Sequence, residues 1–454
     1  MFEAYGCSWQ PVLTSGQVAT AVDIALHVAT RLRERERVEG AVVAAMQQTA
    51  YPKSIHWQPS GVAQGYAGLA IMCRYLDACF PDDDWDVIGH GYLELAVRDM
   101  EQRSSLPAGM FGGLSGLAFA TWSLSQGGKR YRKLLAAVEE ALLPQAIGLA
   151  NRLAIQKKDV SVGQFDLISG LSGVGAYLLC RKDEPQVAAA LRAVLGSLVA
   201  LTGAEEGLPR WYTPVHLLGD EKTMPLYPNG NLNCGLAHGI PGPLGLLSLA
   251  HLSGVTVDGM EEAIVRVATW LWQHRLDDQW GLNWPTAVRV EADGTVPPCL
   301  SRESASPFEP SRTAWCYGSP GVARALWFAG EALDNSEYRQ LAVETMEAVY
   351  RRPLEVRRID SPTFCHGVAG LLQIVLRFAH DTGLPQFTEA AHALGEQLLS
   401  LYQPDTLLGY YSLEPGGNRV DQPGLLDGVP GVVLVLLAAA TPVEPGWDRL
   451  FLLS

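Results

Sequence analysis

Positive charge is scarce in this chain. Lys and Arg number 34 against 48 Asp and Glu, giving a net charge of −14 and a pI near 5.2. That balance argues against nucleic acid or an anionic membrane surface as a partner. A membrane-crossing run is also missing. The longest uncharged stretch near the end, Val429 to Ala440, is too short to span a bilayer and reads as a buried helix. The eight cysteines lack the compact spacing of a disulfide framework. The opening MFEAYGCSWQ has no basic stretch followed by an apolar one, so no export signal, reduced thiols and a cytoplasmic location are expected. Charged residues make up only 18% of the 454, and apolar residues 48%. That composition suits a well-packed globular chain, with length for roughly two or three average domains or one large one.

What is abundant is glycine, and it is patterned. A Gly-x-x-Gly element followed by an apolar run recurs seven times, at Gly65/Gly68, Gly113/Gly116, Gly170/Gly173, Gly239/Gly242, Gly318/Gly321, Gly367/Gly370 and Gly428/Gly431. Runs such as LAFATWSL, LGLLSLA and VVLVLLAAA are apolar nearly all round, which predicts buried helices. Between them lie amphipathic stretches, such as Tyr131 to Ala150, Met260 to Arg275 and Glu337 to Arg351, which predict outer helices with one wet face. The pattern predicts an all-α fold: an α/α toroid of seven inner and seven outer helices, forming a single domain over residues 1–454. The glycines would start the inner helices, where backbones crowd around an axis. The Pro-rich segment 281–310 breaks the pattern and reads as a small β-containing insertion, with AVRVEADGTV as a candidate hairpin. The segment from Gly207 to Asn233 reads as loop.

Repeat register singles out the chemistry. Cys316 and Cys365 each stand two residues before the first glycine of a pair, and His366 stands one before. Two thiols and an imidazole in matching positions predict a three-ligand zinc site with one place open, because Cys₂His plus an exchangeable ligand is a catalytic zinc set. His238 shares the register of His366, and Asp166 lies four before Gly170. In a toroid all these loops share one rim, so the groups should converge. Three further patterns have plainer readings. Cys234 and His238 have a helical i, i+4 spacing, but Gly235 and Gly239 argue against a helix there. Asp427, just before Gly428, reads more simply as a helix-start carboxylate than as a fourth ligand. Asp82, Asp83 and Asp86 match an aspartate-rich magnesium motif but equally a solvated acidic loop.

The stretches GLAHGIPGPL (235–244), SRTAWCYGSPG (311–321) and CHGVAG (365–370) together resemble the signature of the LanC lanthionine cyclases, and the glycine pattern extends the resemblance over about residues 60–440. The resemblance implies that Cys316, Cys365 and His366 hold Zn²⁺, and that His238, Asp166, Arg312 and Tyr317 surround the reacting centre. It implies Michael addition of peptide cysteine thiols to dehydroalanine or dehydrobutyrine, giving thioether rings in lanthipeptide biosynthesis. The expected substrate is a dehydrated precursor peptide. A dehydratase and an exporter are the expected partners, with the enzyme cytoplasmic and peripheral to a membrane-associated complex. On this reading His238 and Arg312 share the protonation and stabilisation of the enolate, with Asp166 orienting His238. Two other readings stand beside it: thiol alkylation of the zinc protein-prenyltransferase kind, and a non-catalytic zinc scaffold that binds peptides.

Overall fold

The computed structural model describes residues 9–52, 56–219, 224–298 and 311–454. The seven apolar runs are seven helices: α3 (Tyr66–Cys79), α5 (Leu114–Leu124), α8 (Leu171–Cys180), α10 (Pro241–Leu252), α12 (Ser319–Ala332), α15 (Val368–Thr382) and α17 (Val429–Ala440). Each packs against the next, and α17 packs against α3, so the inner ring closes. Every residue of α17 is buried, and each buried Val or Leu side chain contributes about 1.5–3 kcal/mol relative to exposure.

Six outer helices follow their inner partners in the chain: α4 (Trp85–Gln102), α6 (Arg132–Ile155), α9 (Pro185–Leu201), α11 (Met260–Gln273), α13 (Ser336–Arg351) and α16 (Pro385–Ser400). Helix α11 shows why they lie outside. Its buried residues Met260, Ala263, Ile264, Val267, Ala268 and Leu271 form a stripe of three- and four-residue steps, and Glu261 and Glu262 sit in its first turn. The seventh outer helix comes from the other end of the chain. Helix α1 (Ser15–Arg31) packs on α17, and the strap before it is pinned there. Trp9 Nε1 donates to Ala438 O at 2.8 Å, and Val12 N to Ala439 O at 3.0 Å. Three further helices among the described residues stand outside the alternation: α2 (Arg35–Gln48), α7 (Val162–Phe165) and α14 (Leu354–Arg357). No helix among the described residues is long and apolar enough to cross a membrane.

The β pieces among the described residues are four two-stranded pairs. Strands β1 (Ala204–Glu205) and β2 (Leu208–Pro209) pair, as do β7 (Ser412–Leu413) and β8 (Arg419–Val420). The hairpin of the insertion is β4 (Leu276–Asp278) with β5 (Gly281–Asn283), so sheet structure begins before residue 281. Within AVRVEADGTV the turn exists, with Glu291 N donating to Thr295 O at 2.9 Å. Its strand β6 (Ala287–Arg289), however, pairs not with its own continuation but with β3 (Asn231–Asn233). The predicted hairpin is therefore corrected to a long-range pairing, which brings the segment ahead of His238 against the insertion. Strands β2 and β3 also give the described part of the 207–233 stretch more order than a plain loop. Residues 299–310 of the predicted insertion lie outside the described residues.

The loops ahead of the inner helices are tied together by a closed ring of backbone hydrogen bonds. Ala63 N donates to Phe111 O (3.0 Å), Phe111 N to Ile168 O (3.1 Å) and Leu167 N to Ala237 O (3.0 Å). Ala237 N donates to Cys316 O (3.2 Å), Cys316 N to Cys365 O (3.3 Å), Cys365 N to Leu426 O (3.0 Å) and Leu426 N back to Ala63 O (3.1 Å). Apart from Leu167, each donor stands two residues before the first glycine of its repeat. Such close approach explains the second glycines: a Cβ on Gly370 would lie 1.9 Å from Phe364 O, and one on Gly321 would lie 2.7 Å from Leu236 Cβ of the preceding repeat.

Candidate functional site

Cys316 and Cys365 are consecutive members of that ring, so their side chains leave adjacent rungs. The Cys316 thiol is the neighbour that acts most strongly on the Cys365 thiol. Cys365 Sγ, a ring nitrogen of His366 and a carboxylate oxygen of Asp427 all lie within 4.8 Å of one another. Two of the three predicted ligands, Cys365 and His366, are thus together with Asp427, read from sequence as a helix-start carboxylate, while Cys316 neighbours Cys365 outside that group. Asp427 occupies the next repeat in the register of His366.

The neighbouring Cys316 thiol, and then burial, hold the Cys365 thiol well above its usual range. Burial raises the Asp427 carboxyl, against the opposing pull of His366 and of the Cys365 thiol. Burial also lowers the His366 imidazole below its usual 6.5, although Asp427 works the other way. A neutral imidazole is the form that binds a metal. The donor set is soft sulfur, imidazole nitrogen and a carboxylate oxygen, which suits Zn²⁺. Asp427 Oδ1 is buried without a hydrogen-bond partner, an orphaned acceptor that a cation would satisfy. His366 Nδ1 is 3.6 Å from it.

A second cluster faces the first. His238 Nδ1 lies 2.6 Å from Asp166 Oδ2. Asp166 is buried, and its other oxygen accepts from Ser169 N and Gly170 N, both at 2.8 Å. The turn ahead of α8 thus fixes the carboxylate, and the carboxylate fixes the imidazole. His238 remains partly open, with 38% of its side chain exposed. Tyr317 lies between the clusters. Its ring centroid is 6.1 Å from that of His238, and its phenol, raised by burial, feels Cys316, Asp166 and Cys365 electrostatically. Asn233 Nδ2 donates to the Tyr317 hydroxyl at 3.2 Å, while Asn233 Oδ1 accepts from Gly235 N at 2.9 Å. Sequence reasoning missed Asn233. A signal was present, because it stands six before its glycine, as Arg312 does. Arg312 is half-buried, and its charge reaches Cys365, His366 and Asp427.

The alternative patterns separate cleanly. Cys234 lies in a non-helical stretch, is buried, and turns its thiol to Leu232 O at 3.6 Å, so the Cys234/His238 spacing makes no pair of ligands. In the acidic stretch Asp86 pairs with Arg130 at 3.0 Å at the start of α4.

A family model described as "Lanthionine synthetase C-like protein" matches residues 56–452. The chain is 28% identical over 353 residues to the nisin biosynthesis protein NisC of Lactococcus lactis subsp. lactis, covering 76% of this chain and 77% of that protein. It is also similar in structure to nisin cyclase, with a TM-score of 0.75 and 23% identity over 92% of this chain and 97% of that one. The structural likeness supports the toroidal fold.

Proposed function

This chain belongs to the lanthionine synthetase C-like family, and from that premise we propose that it is a zinc-dependent peptide cyclase that closes thioether rings. On this reading the whole chain works as one toroidal domain carrying its insertion, and Cys316, Cys365 and His366 hold the metal. The observation that carries the reading is the meeting, on one rim, of a sulfur–nitrogen donor cluster with a carboxylate-oriented histidine. The substrate is a dehydrated, cysteine-containing precursor peptide, supplied by a dehydratase and passed on to an exporter, with the enzyme in the cytoplasm beside them. Relatedness to a protein named for nisin biosynthesis supports that assignment.

Bound zinc supplies a lowered thiol pKa, so that a peptide thiol is nucleophilic near neutral pH. The residues of this chain do the rest. Sulfur adds to the β-carbon of the dehydro residue, a C–S bond forms, and the π electrons move to the carbonyl oxygen as an enolate. Arg312, permanently charged, stabilises that oxygen. His238 donates Nδ1–H to Asp166, which leaves Nε2 free to take the proton that the peptide thiol gives up and deliver it to the α-carbon. Tyr317, held by Asn233, walls the space between the two clusters.

The test is incubation of the zinc-loaded protein with a dehydrated cysteine peptide, followed by thiol alkylation and mass spectrometry. Ring closure leaves the mass unchanged and removes the alkylatable thiol. A peptide that binds but keeps its free thiol would overturn the cyclase reading and leave a scaffold.

A further inference from the structure

The residues immediately before the two cysteines are both aromatic, and both rest on one ring. Trp315 and Phe364 are fully buried. The Phe451 ring stacks on Phe364 with centroids 3.8 Å apart and meets Trp315 edge-on at 5.0 Å. Trp315 Nε1 donates to the Phe451 carbonyl at 3.0 Å. Phe451 ends a 3₁₀ turn, Gly446–Phe451, which packs inside the inner ring against α5 and α8.

The same segment grips the two inner helices that follow the cysteine loops. On α12, Arg324 donates from Nε (3.0 Å) and Nη2 (2.7 Å) to the Leu453 carbonyl. On α15, Gln373 Nε2 and Arg377 Nε and Nη2 each donate to the Asp448 carboxylate at 2.7 Å. Asp448 is fully buried. These groups are absent from the mechanism above, yet they converge on the loops and helices that carry both thiols.

We infer that residues 446–454 are a positioning clamp for the thiol pair, with Phe451 as the positioning residue at its centre. Packed aromatic interiors do not deform smoothly, so a change beneath Trp315 and Phe364 is transmitted to the next residues, Cys316 and Cys365. Groups that orient metal ligands from outside the ligand set typically change metal affinity by about 10–100-fold when replaced. The metal readout below rests on the zinc reading of the proposed function, and the thiol readout does not.

The experiment compares full-length wild type with Phe451→Leu and with a control, Phe387→Leu. Phe387 is equally buried, but it packs on Tyr350 and Phe378 in the outer wall. Zinc affinity is measured by chelator competition. The rate of Cys316–Cys365 disulfide formation with diamide is measured on metal-stripped protein by peptide mapping, since that bond forms only when the two cysteines are held close together. Phe451→Leu is expected to weaken zinc by about tenfold or more and to slow the disulfide severalfold relative to both other proteins. A disulfide rate equal to that of Phe387→Leu overturns the inference, whatever the zinc affinity. If wild type binds no zinc, the proposed function fails, and the disulfide rate alone still decides the clamp. Should Phe451→Leu not fold, Trp315→Phe keeps an aromatic ring while removing the bond to the Phe451 carbonyl and part of the ring packing. Its disulfide is expected to slow, and an unchanged rate overturns the inference.

Discussion

Cys316 gives its backbone N–H to the carbonyl of Cys365 at 3.3 Å, so the two thiols stand on neighbouring rungs of one hydrogen-bonded ring. The pairing is a property of the fold before it is a property of any metal. Ala63, Phe111, Ala237 and Leu426 occupy equivalent rungs without a donor side chain. A metal centre therefore needs only the right residues at two adjacent rungs and at the positions that follow them.

One zinc per chain is expected, lost in a Cys316→Ala/Cys365→Ala double variant. Because the backbone ring and the apolar core do not depend on the metal, stripping zinc should leave the helical circular dichroism in place. That contrasts with small domains that unfold without their metal. Elemental analysis and spectra before and after chelation check both statements.

The glycines give two predictions of opposite sign. Gly370→Ala sets a Cβ 1.9 Å from Phe364 O, and such overpacking should cost about 1–3 kcal/mol or more. Gly196 lies within α9, and a methyl group there would meet nothing within 4 Å. Gly196→Ala should therefore gain about 0.5–1 kcal/mol from helix propensity. Urea unfolding of the two variants reads both.

Much of the fold was legible because the glycine register repeats along the chain. The inner helices and the outer helices that follow them could be placed from Gly-x-x-Gly and the amphipathic stretches. The origin of the seventh outer helix could not, because α1 meets α17 only when the two ends of the toroid come together. The β3–β6 pairing was hidden for a similar reason: three-residue strands carry no partner information, and Asn231 and Arg289 are far apart in sequence. In the candidate site, the meeting of Cys365 and His366 was legible from register. Asp427 was also in register, but whether a carboxylate faces a helix end or a donor cluster depends on packing between repeats. Phe451 gave no sequence signal, since its contacts with Trp315 and Phe364 are made only in the assembled ring.

Acid should destabilise the metal-free protein through the buried His274 and the half-buried His380, both away from the site. Burial lowers His274 below its usual 6.5, although its Nδ1 is 2.8 Å from Trp270 O. Burial, and then Arg377, lower His380 as well. A depressed folded-state pKa means that the unfolded chain binds the proton more readily. The stabilisation is thus present above 6.5 and is lost as pH falls through the lower folded-state values. The urea midpoint should drop between about pH 7 and pH 5, and His274→Gln should flatten part of that slope.

His238→Asn should keep the zinc and slow ring closure by about 10²–10⁴-fold, the range for a positioned acid–base group. Asp166→Asn should also slow it, because the amide can turn its NH₂ toward Nδ1 and favour the wrong tautomer. Single-turnover rates on a dehydrated peptide check both. A normal rate in His238→Asn would make the histidine structural and move attention to Arg312.

Asp427 offers the sharpest separation of two roles. Its Oδ1 is buried and has no hydrogen-bond partner, although His366 Nδ1 lies 3.6 Å away, and its carboxylate lies within 4.8 Å of the Cys365 and His366 donors. If it serves the centre, Asp427→Asn removes the negative charge while keeping the shape, and zinc affinity should fall by about 10–100-fold. The count of sulfur ligands at the zinc X-ray absorption edge should not change, because both sulfurs come from Cys316 and Cys365. If Asp427 only marks the start of α17, Asn serves a helix start about as well as Asp, and zinc affinity should match wild type. Stability of the metal-free variant completes the argument. A partly buried carboxylate whose Oδ1 has no hydrogen-bond partner, beside other acidic donors, is unfavourable without a cation. Asp427→Asn should therefore leave the metal-free protein as stable as wild type or more so, while the zinc-bound form loses stability. A fall in both forms would assign the residue to the fold.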